Sequence, residues 1–204
     1  NVPVISTKGI TDCIRDSIDA KEIKWKPFFG DEWPSEKILP NMWVKDKDSI
    51  ELDGLNYFFS DLGAAESSSD LYFVLGSKKS AVFVGDVVFN QMHSFMNDGH
   101  SCQWLVVLNQ LADDLKGVGT LFTGHGQPGD PVELINAQIK YVNTYQYQVS
   151  RLAKGKASLN NEQKSKLEEI MVEAFPLYEL SGFIQAGAAS VAMELAVNKN
   201  IVSN

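Results

Sequence analysis

Apolar residues along this chain change spacing several times, and each change marks an element. Val2 to Ser6 reads as a short strand, and from Thr7 to Ile18 the apolar positions Ile10, Cys13, Ile14 and Ile18 recur at helical steps. A long loop is expected next, carrying Trp25, Pro27, Phe28, Phe29, Trp33 and Pro34; loops this aromatic commonly cover a core edge or a pocket. From Asn41 to Leu75 the period falls to two. Ile50 and Leu52 alternate, Asp53-Gly54 supplies a tight turn, and Leu55, Tyr57 and Phe59 continue on the return strand, a strong hairpin signal. Leu71 to Leu75 and Ala81 to Val84 are two further strands, joined through Gly76-Ser77-Lys78-Lys79.

Helical spacing dominates the rest. Ser101 to Leu115 carries Trp104, Leu105, Leu108, Leu111 and Leu115 in one apolar stripe. Asp130-Pro131-Val132-Glu133 combines an N-cap carboxylate, a proline at the first helical position and a capping-box glutamate, so a helix should run from there to about Leu152. Asn160-Asn161-Glu162-Gln163 opens another, to Ala174, stopped by Phe175-Pro176, and a last helix follows Ser181. The pattern predicts an α+β fold with strands near 2–6, 41–60 and 70–85 and at least four helices. Ala153 to Ser158 is the one linker-like stretch. It divides the chain into a main domain, 1–152, and a helical C-terminal extension, 153–204, packed on it.

Composition narrows the function classes. The chain has 204 residues, 44% of them hydrophobic, enough for a sizeable core. With 26 Asp plus Glu against 18 Lys plus Arg the net charge is −8, so a nucleic-acid partner is not expected. No apolar stretch reaches the ~20 residues that span a bilayer. The most apolar helix, Gly182 to Val197, is interrupted by Gly187, Ser190 and Glu194, and no membrane partner is expected. Cys13 and Cys102 lack Cys-x-x-Cys spacing and read as two buried thiols. The opening Asn1-Val2-Pro3-Val4-Ile5 has neither an initiating Met nor a signal peptide and resembles the interior of a longer polypeptide.

The candidate chemistry rests on Asp86 and His125. Gly85-Asp86 closes the apolar run Ser80-Ala81-Val82-Phe83-Val84, and Gly124-His125-Gly126 closes Thr120-Leu121-Phe122. A lone strand-end Asp is usually a turn or cap residue, and a lone His is usually structural. Placed together at strand ends beside glycines, a carboxylate that can bridge two cations and a neutral imidazole suit zinc or iron. His100, beside Gly99, reads as an exposed residue at a helix start, and Glu66 with Asp70 as capping or solvating a turn. Ser67, Ser68 and Ser69 lack the Gly-x-Ser-x-Gly elbow of a serine nucleophile.

Val4-Ile5-Ser6-Thr7, Asp61-Leu62-Gly63-Ala64-Ala65-Glu66-Ser67, Gly85-Asp86-Val87-Val88-Phe89-Asn90, Gly124-His125-Gly126 and the tail from Phe175-Pro176 to Gly187-Ala188 together resemble the second half of a metallo-β-lactamase superfamily hydrolase. The resemblance implies a metallo-β-lactamase-like αβ/βα layered sandwich, of which this chain looks like the second half. It also implies a pair of metals that generate hydroxide and polarise the substrate oxygen under attack. One metal would be held by two histidines of a His-x-His-x-Asp-His block and a third from a later Gly-His segment. The other would take the Asp and last His of that block with His125, and Asp86 would bridge. His93 resembles a loop histidine near the family pocket and is a candidate to touch substrate.

Two departures matter. The histidines are His93, His100 and His125, so the chain has no His-x-His-x-Asp-His block, and the first half of the fold is expected to lie upstream or in another chain. At Ala64 the family pattern has histidine, so Ala64 is expected to mark a vacant ligand position. The resemblance therefore implies a metal-dependent hydrolase with an incomplete or impaired site, inactive as this chain alone. Zinc or another divalent metal (Fe or Mn) would be weakly bound or absent. The alternative is a non-catalytic interaction or scaffold protein of the same fold. Expected partners are a small-molecule substrate if the protein is active, and a second copy of the chain or an upstream fragment.

Overall fold

A computed structural model of the protein describes residues 2–76 and 81–202, with side chains through Asn198. The expected Ser77-Lys78-Lys79 connection lies outside the described residues. Strand β1 (Ile5–Ser6) leads into helix α1 (Lys8–Phe29), capped by the Thr7 hydroxyl, which accepts from the Ile10 amide at 3.1 Å. α1 does not end near Ile18. The segment expected as an aromatic loop forms its last turns, with Pro27 inside the helix, and the chain leaves at Gly30 with φ +56°. Residues 19–26 are mostly good helix formers tied by a Glu22–Lys26 pair at 2.9 Å, so propensity extends a helix whose apolar periodicity has already run out. Only a 3₁₀ turn (Gly30–Glu32) and irregular chain remain before β2 (Met42–Trp43), which pairs in parallel with β1.

The main sheet has five strands in the order β3 (Ser49–Leu52), β4 (Leu55–Gly63), β5 (Asp70–Leu75), β6 (Ala81–Phe89) and β7 (Thr120–His125). The first four run antiparallel, and β7 joins β6 in parallel. The β3–β4 turn is the expected Asp53-Gly54, with φ +51° and +76°, the left-handed pair that matches hairpin twist. Helix α2 (Ser101–Asp114) crosses from β6 to β7, and α3 (Pro131–Ala153), α4 (Asn161–Ala174) and α5 (Gly182–Val202) follow. Both sequence-read caps form. The Asp130 carboxylate accepts from the Val132 and Glu133 amides, and Asn160 with Gln163 makes a reciprocal capping box, each cap worth about 1 kcal/mol. α2 is capped from outside instead: Glu194 of α5 accepts from the Ser101 and Cys102 amides at 2.9 and 2.8 Å.

Alternation along β6 puts Val82 and Val84 against α2 and α3 and Phe83 on the opposite face. The helix side is a continuous core in which Val82, Val84, Val88, Leu108, Leu121 and Ile135 are fully buried, and Leu167, Met171 and Ile184 of the C-terminal helices belong to the same core. The other face carries a row of half-buried aromatics. Phe73, Phe83 and Phe122 stack at 4.8 and 4.6 Å across paired strands, with Tyr57 at 5.9 Å from Phe73. Cys13 and Cys102 are free thiols and only half-buried, contrary to expectation, since α1 buries little beyond Thr11 and Cys102 sits at the N-terminus of α2. No helix among the described residues is long and apolar enough to cross a membrane.

Candidate functional site

Asp86 lies one residue beyond Gly85, whose φ of +55° shifts the β6–β7 register and turns the strand. β6 then continues to Phe89, which pairs with His125 at the end of β7. The expected pair is thereby brought together: His125 Nε2 stands 3.7 Å from Asp86 Oδ1, both side chains nearly half exposed. The glycines around them are required by space. A Cβ at Gly124 would collide with the Asp86 carboxylate, and one at Gly126, where φ is +90°, would collide with the Asn90 carbonyl. The His125 ring stacks on Phe89 with centroids 5.2 Å apart, and its carbonyl accepts from the Asn90 amide and the Thr123 hydroxyl at 2.9 and 2.8 Å.

Asp86 and His125 line a pocket of about 360 Å³ whose apolar wall is Phe89, Phe95 and Phe183 and whose outer wall is the α1 face bearing Lys21, Lys24 and Trp25. Glu66 also lines it, together with an adjoining cleft. A larger cleft, about 960 Å³, lies between β4, β5 and α2 and contains neither Asp86 nor His125, so size does not mark the chemistry here.

Glu66 is the site residue that the sequence pattern misplaces. Asp70 does order the turn as expected, its carboxylate accepting from the Ala65 and Ser67 amides and the Ser67 hydroxyl. Glu66 has a different role and faces the pocket. Burial, reinforced by the negative charges of Asp86, Asp70 and Asp98, pushes its carboxyl up to about 8, with Lys21 opposing the shift. Ala64 lines neither cavity. The available signal was that Glu66 is the one ionisable side chain between Gly63 and Asp70.

His93 lies elsewhere. It is fully buried, its Nδ1 3.2 Å from the Tyr141 hydroxyl, its ring between those of Tyr141 and Tyr178, and its Nε2 without a hydrogen-bond partner among the described residues. It does not line the Asp86–His125 pocket. Burial holds its imidazole below the usual histidine range, Glu168 opposing. A depressed histidine contributes stability above its unfolded value of 6.5 and loses it as pH falls through the folded pKa. Replacing His93 by Phe is therefore expected to flatten the loss of thermal stability as pH falls below 6.5. The difference between variant and wild type, measured by calorimetry, isolates this from other titrating groups. An unchanged pH slope would contradict the neutral buried assignment. His100 is half-buried at the N-cap of α2, its Nε2 3.2 Å from the Ser68 hydroxyl.

The donor set fits a metal only in part. Two ligand atoms on one tetrahedral zinc lie about 3.4 Å apart, given metal–ligand bonds of ~2.1 Å. The 3.7 Å Asp86–His125 separation suits a shared cation. Among the described residues, however, no group of three or more His, Cys, Asp or Glu side chains could hold a metal ion, and a catalytic zinc ordinarily takes three protein ligands. Asp86 and His125 are two of that number.

No family model matches the sequence, and no curated protein matches it. Solved structures do match the fold. A metallo-β-lactamase from Pontibacter korlensis superposes with a TM-score of 0.54 at 14% identity, over 70% of this chain and 58% of that one. The DIM-1 metallo-β-lactamase gives 0.52 at 16%, over 70% and 58%. A metallo-β-lactamase family protein from Thermus thermophilus gives 0.61 at 16%, over 98% of this chain and 68% of that one. The chain has a metallo-β-lactamase-like α+β fold, as the sequence resemblance implied, and spans less than two-thirds of the length of the first two of these structures.

Proposed function

We propose that the protein is a metal-dependent hydrolase of the metallo-β-lactamase superfamily whose metal site is impaired in this chain. The observation that carries this reading is the 3.7 Å approach of Asp86 and His125 at adjacent strand ends, in a pocket, within a fold shared with metallo-β-lactamases. The two side chains would hold a divalent cation, zinc, iron or manganese, and a small-molecule substrate would enter from the α1 side. With two ligands the cation is held weakly, and this chain alone turns substrate over no faster than buffer. Elemental analysis after dialysis is expected to give well under one zinc per chain. Stoichiometric zinc would overturn the impaired-site reading and point to ligands beyond Asp86 and His125.

The second reading is a non-catalytic binding module of the same fold, favoured by the lack of a three-ligand group among the described residues. The two readings separate when a third ligand is supplied. An impaired hydrolase then gains cleavage of generic ester or lactam probes along with metal, whereas a binding module gains metal alone.

A further inference from the structure

The α1 wall of the pocket carries Lys21 and Lys24, three residues apart and so on one helix face. They are the lysines of that pocket, and neither joins an ion pair among the described residues. By contrast, Lys26 and Lys37 both pair with Glu22 on the same helix. The Lys24 ammonium sits 4.7 Å from the centroid of Trp25, which holds it at the pocket rim. The pocket's carboxylates, Glu66, Asp86 and Asp98, come from the sheet ends and the segment after β6, so the two signs of charge occupy different walls. Phe89, Phe95 and Phe183 lie between, the last two in edge contact at 5.4 Å. An anion entering this space is drawn to the α1 wall and repelled from the carboxylates, while an apolar body is received by the phenylalanines.

We propose that the pocket takes a small molecule bearing an oxyanion, carboxylate or phosphate, on an apolar body, with Lys21 and Lys24 as the specificity-determining residues. This rests on the reading of the pocket as a substrate site and adds the substrate class. The lysines bind the oxyanion, and charge separation across the pocket turns the ligand's neutral end toward Asp86 and His125.

Binding can be tested without metal or turnover, so a failed hydrolysis assay leaves the proposal standing and a failed binding assay leaves the hydrolase reading standing. Chelator-treated protein is titrated with 2-naphthoate, 2-naphthyl phosphate and the neutral 2-naphthamide, followed by calorimetry. Wild type is expected to prefer the anionic probes over the amide by about fivefold, the scale of two partly exposed charge pairs. The tighter of the two anions identifies the headgroup. Lys21→Gln/Lys24→Gln is expected to lose the preference and keep amide binding, whereas Lys116→Gln/Lys166→Gln, in the turn after α2 and on α4 and outside the pocket lining, keeps it. Retained amide binding shows that the pocket is intact in the first double variant. Equal binding of amide and anions by wild type, or a preference that survives Lys21→Gln/Lys24→Gln, would overturn the proposal.

Discussion

Replacing Glu66 by histidine is expected to strengthen zinc binding by the Asp86–His125 pair. Glu66 lines the pocket that holds Asp86 and His125 without forming a three-ligand group with them, and its carboxyl is pushed up to about 8, so at neutral pH it is also largely protonated. An imidazole on that loop is neutral at pH 7 and supplies a third donor of the kind zinc prefers. A gain of roughly 3 kcal/mol corresponds to about a hundredfold in Kd. Ala64→His is the decisive comparison. The sequence pattern places the vacant ligand position at Ala64, yet Ala64 lines neither cavity beside Asp86. Competition titration with a chromophoric chelator should therefore show a gain for Glu66→His and little for Ala64→His. The reverse order would return the vacant position to Ala64.

In metal-free protein, Glu66→Gln is expected to stabilise the fold at alkaline pH and to leave it unchanged in acid. The folded carboxyl titrates near 8 against 4.5 unfolded, so the folded state holds the proton more tightly. The stability this contributes is complete below pH 4.5 and is lost as pH rises through 8. The neutral amide escapes the loss. For a partly screened group the gain at pH 8.5 should be on the order of 2 kcal/mol. Urea unfolding at pH 4.5 and 8.5 measures it, and an equal difference at both values would mean that Glu66 is not held protonated in the pocket.

What could be read from the sequence was local. The Asp53-Gly54 hairpin and the Asp130 and Asn160 caps each depend on residues within a few positions, and each forms as read. The strand ends bearing Asp86 and His125 were legible for the same reason, although their meeting depends on β6 and β7 lying side by side in parallel. Apolar spacing predicts too short an α1 because the second half is held by propensity and a Glu22–Lys26 pair, and its large apolar residues Ile23, Phe28 and Phe29 face solvent. Glu66 and His93 were not legible because residue spacing does not say which way a turn aims a side chain, nor which rings distant in sequence close over one. The first is turned inward by a loop that Asp70 ties down, and the second is enclosed by Tyr141 of α3 and Tyr178 beyond α4.

The pairing of Asp86 with His125 around a cation is tested most directly by zinc titration of protein labelled with nitrogen-15 at histidine, followed by imidazole NMR. The chain has three histidines, so each resonance is assignable by single substitution. The expected result is that the His125 ring nitrogens shift with zinc, that the shift is lost in Asp86→Ala, and that buried His93 and Ser68-bonded His100 stay fixed. A zinc-induced shift at His100 or His93 with His125 unmoved would contradict it.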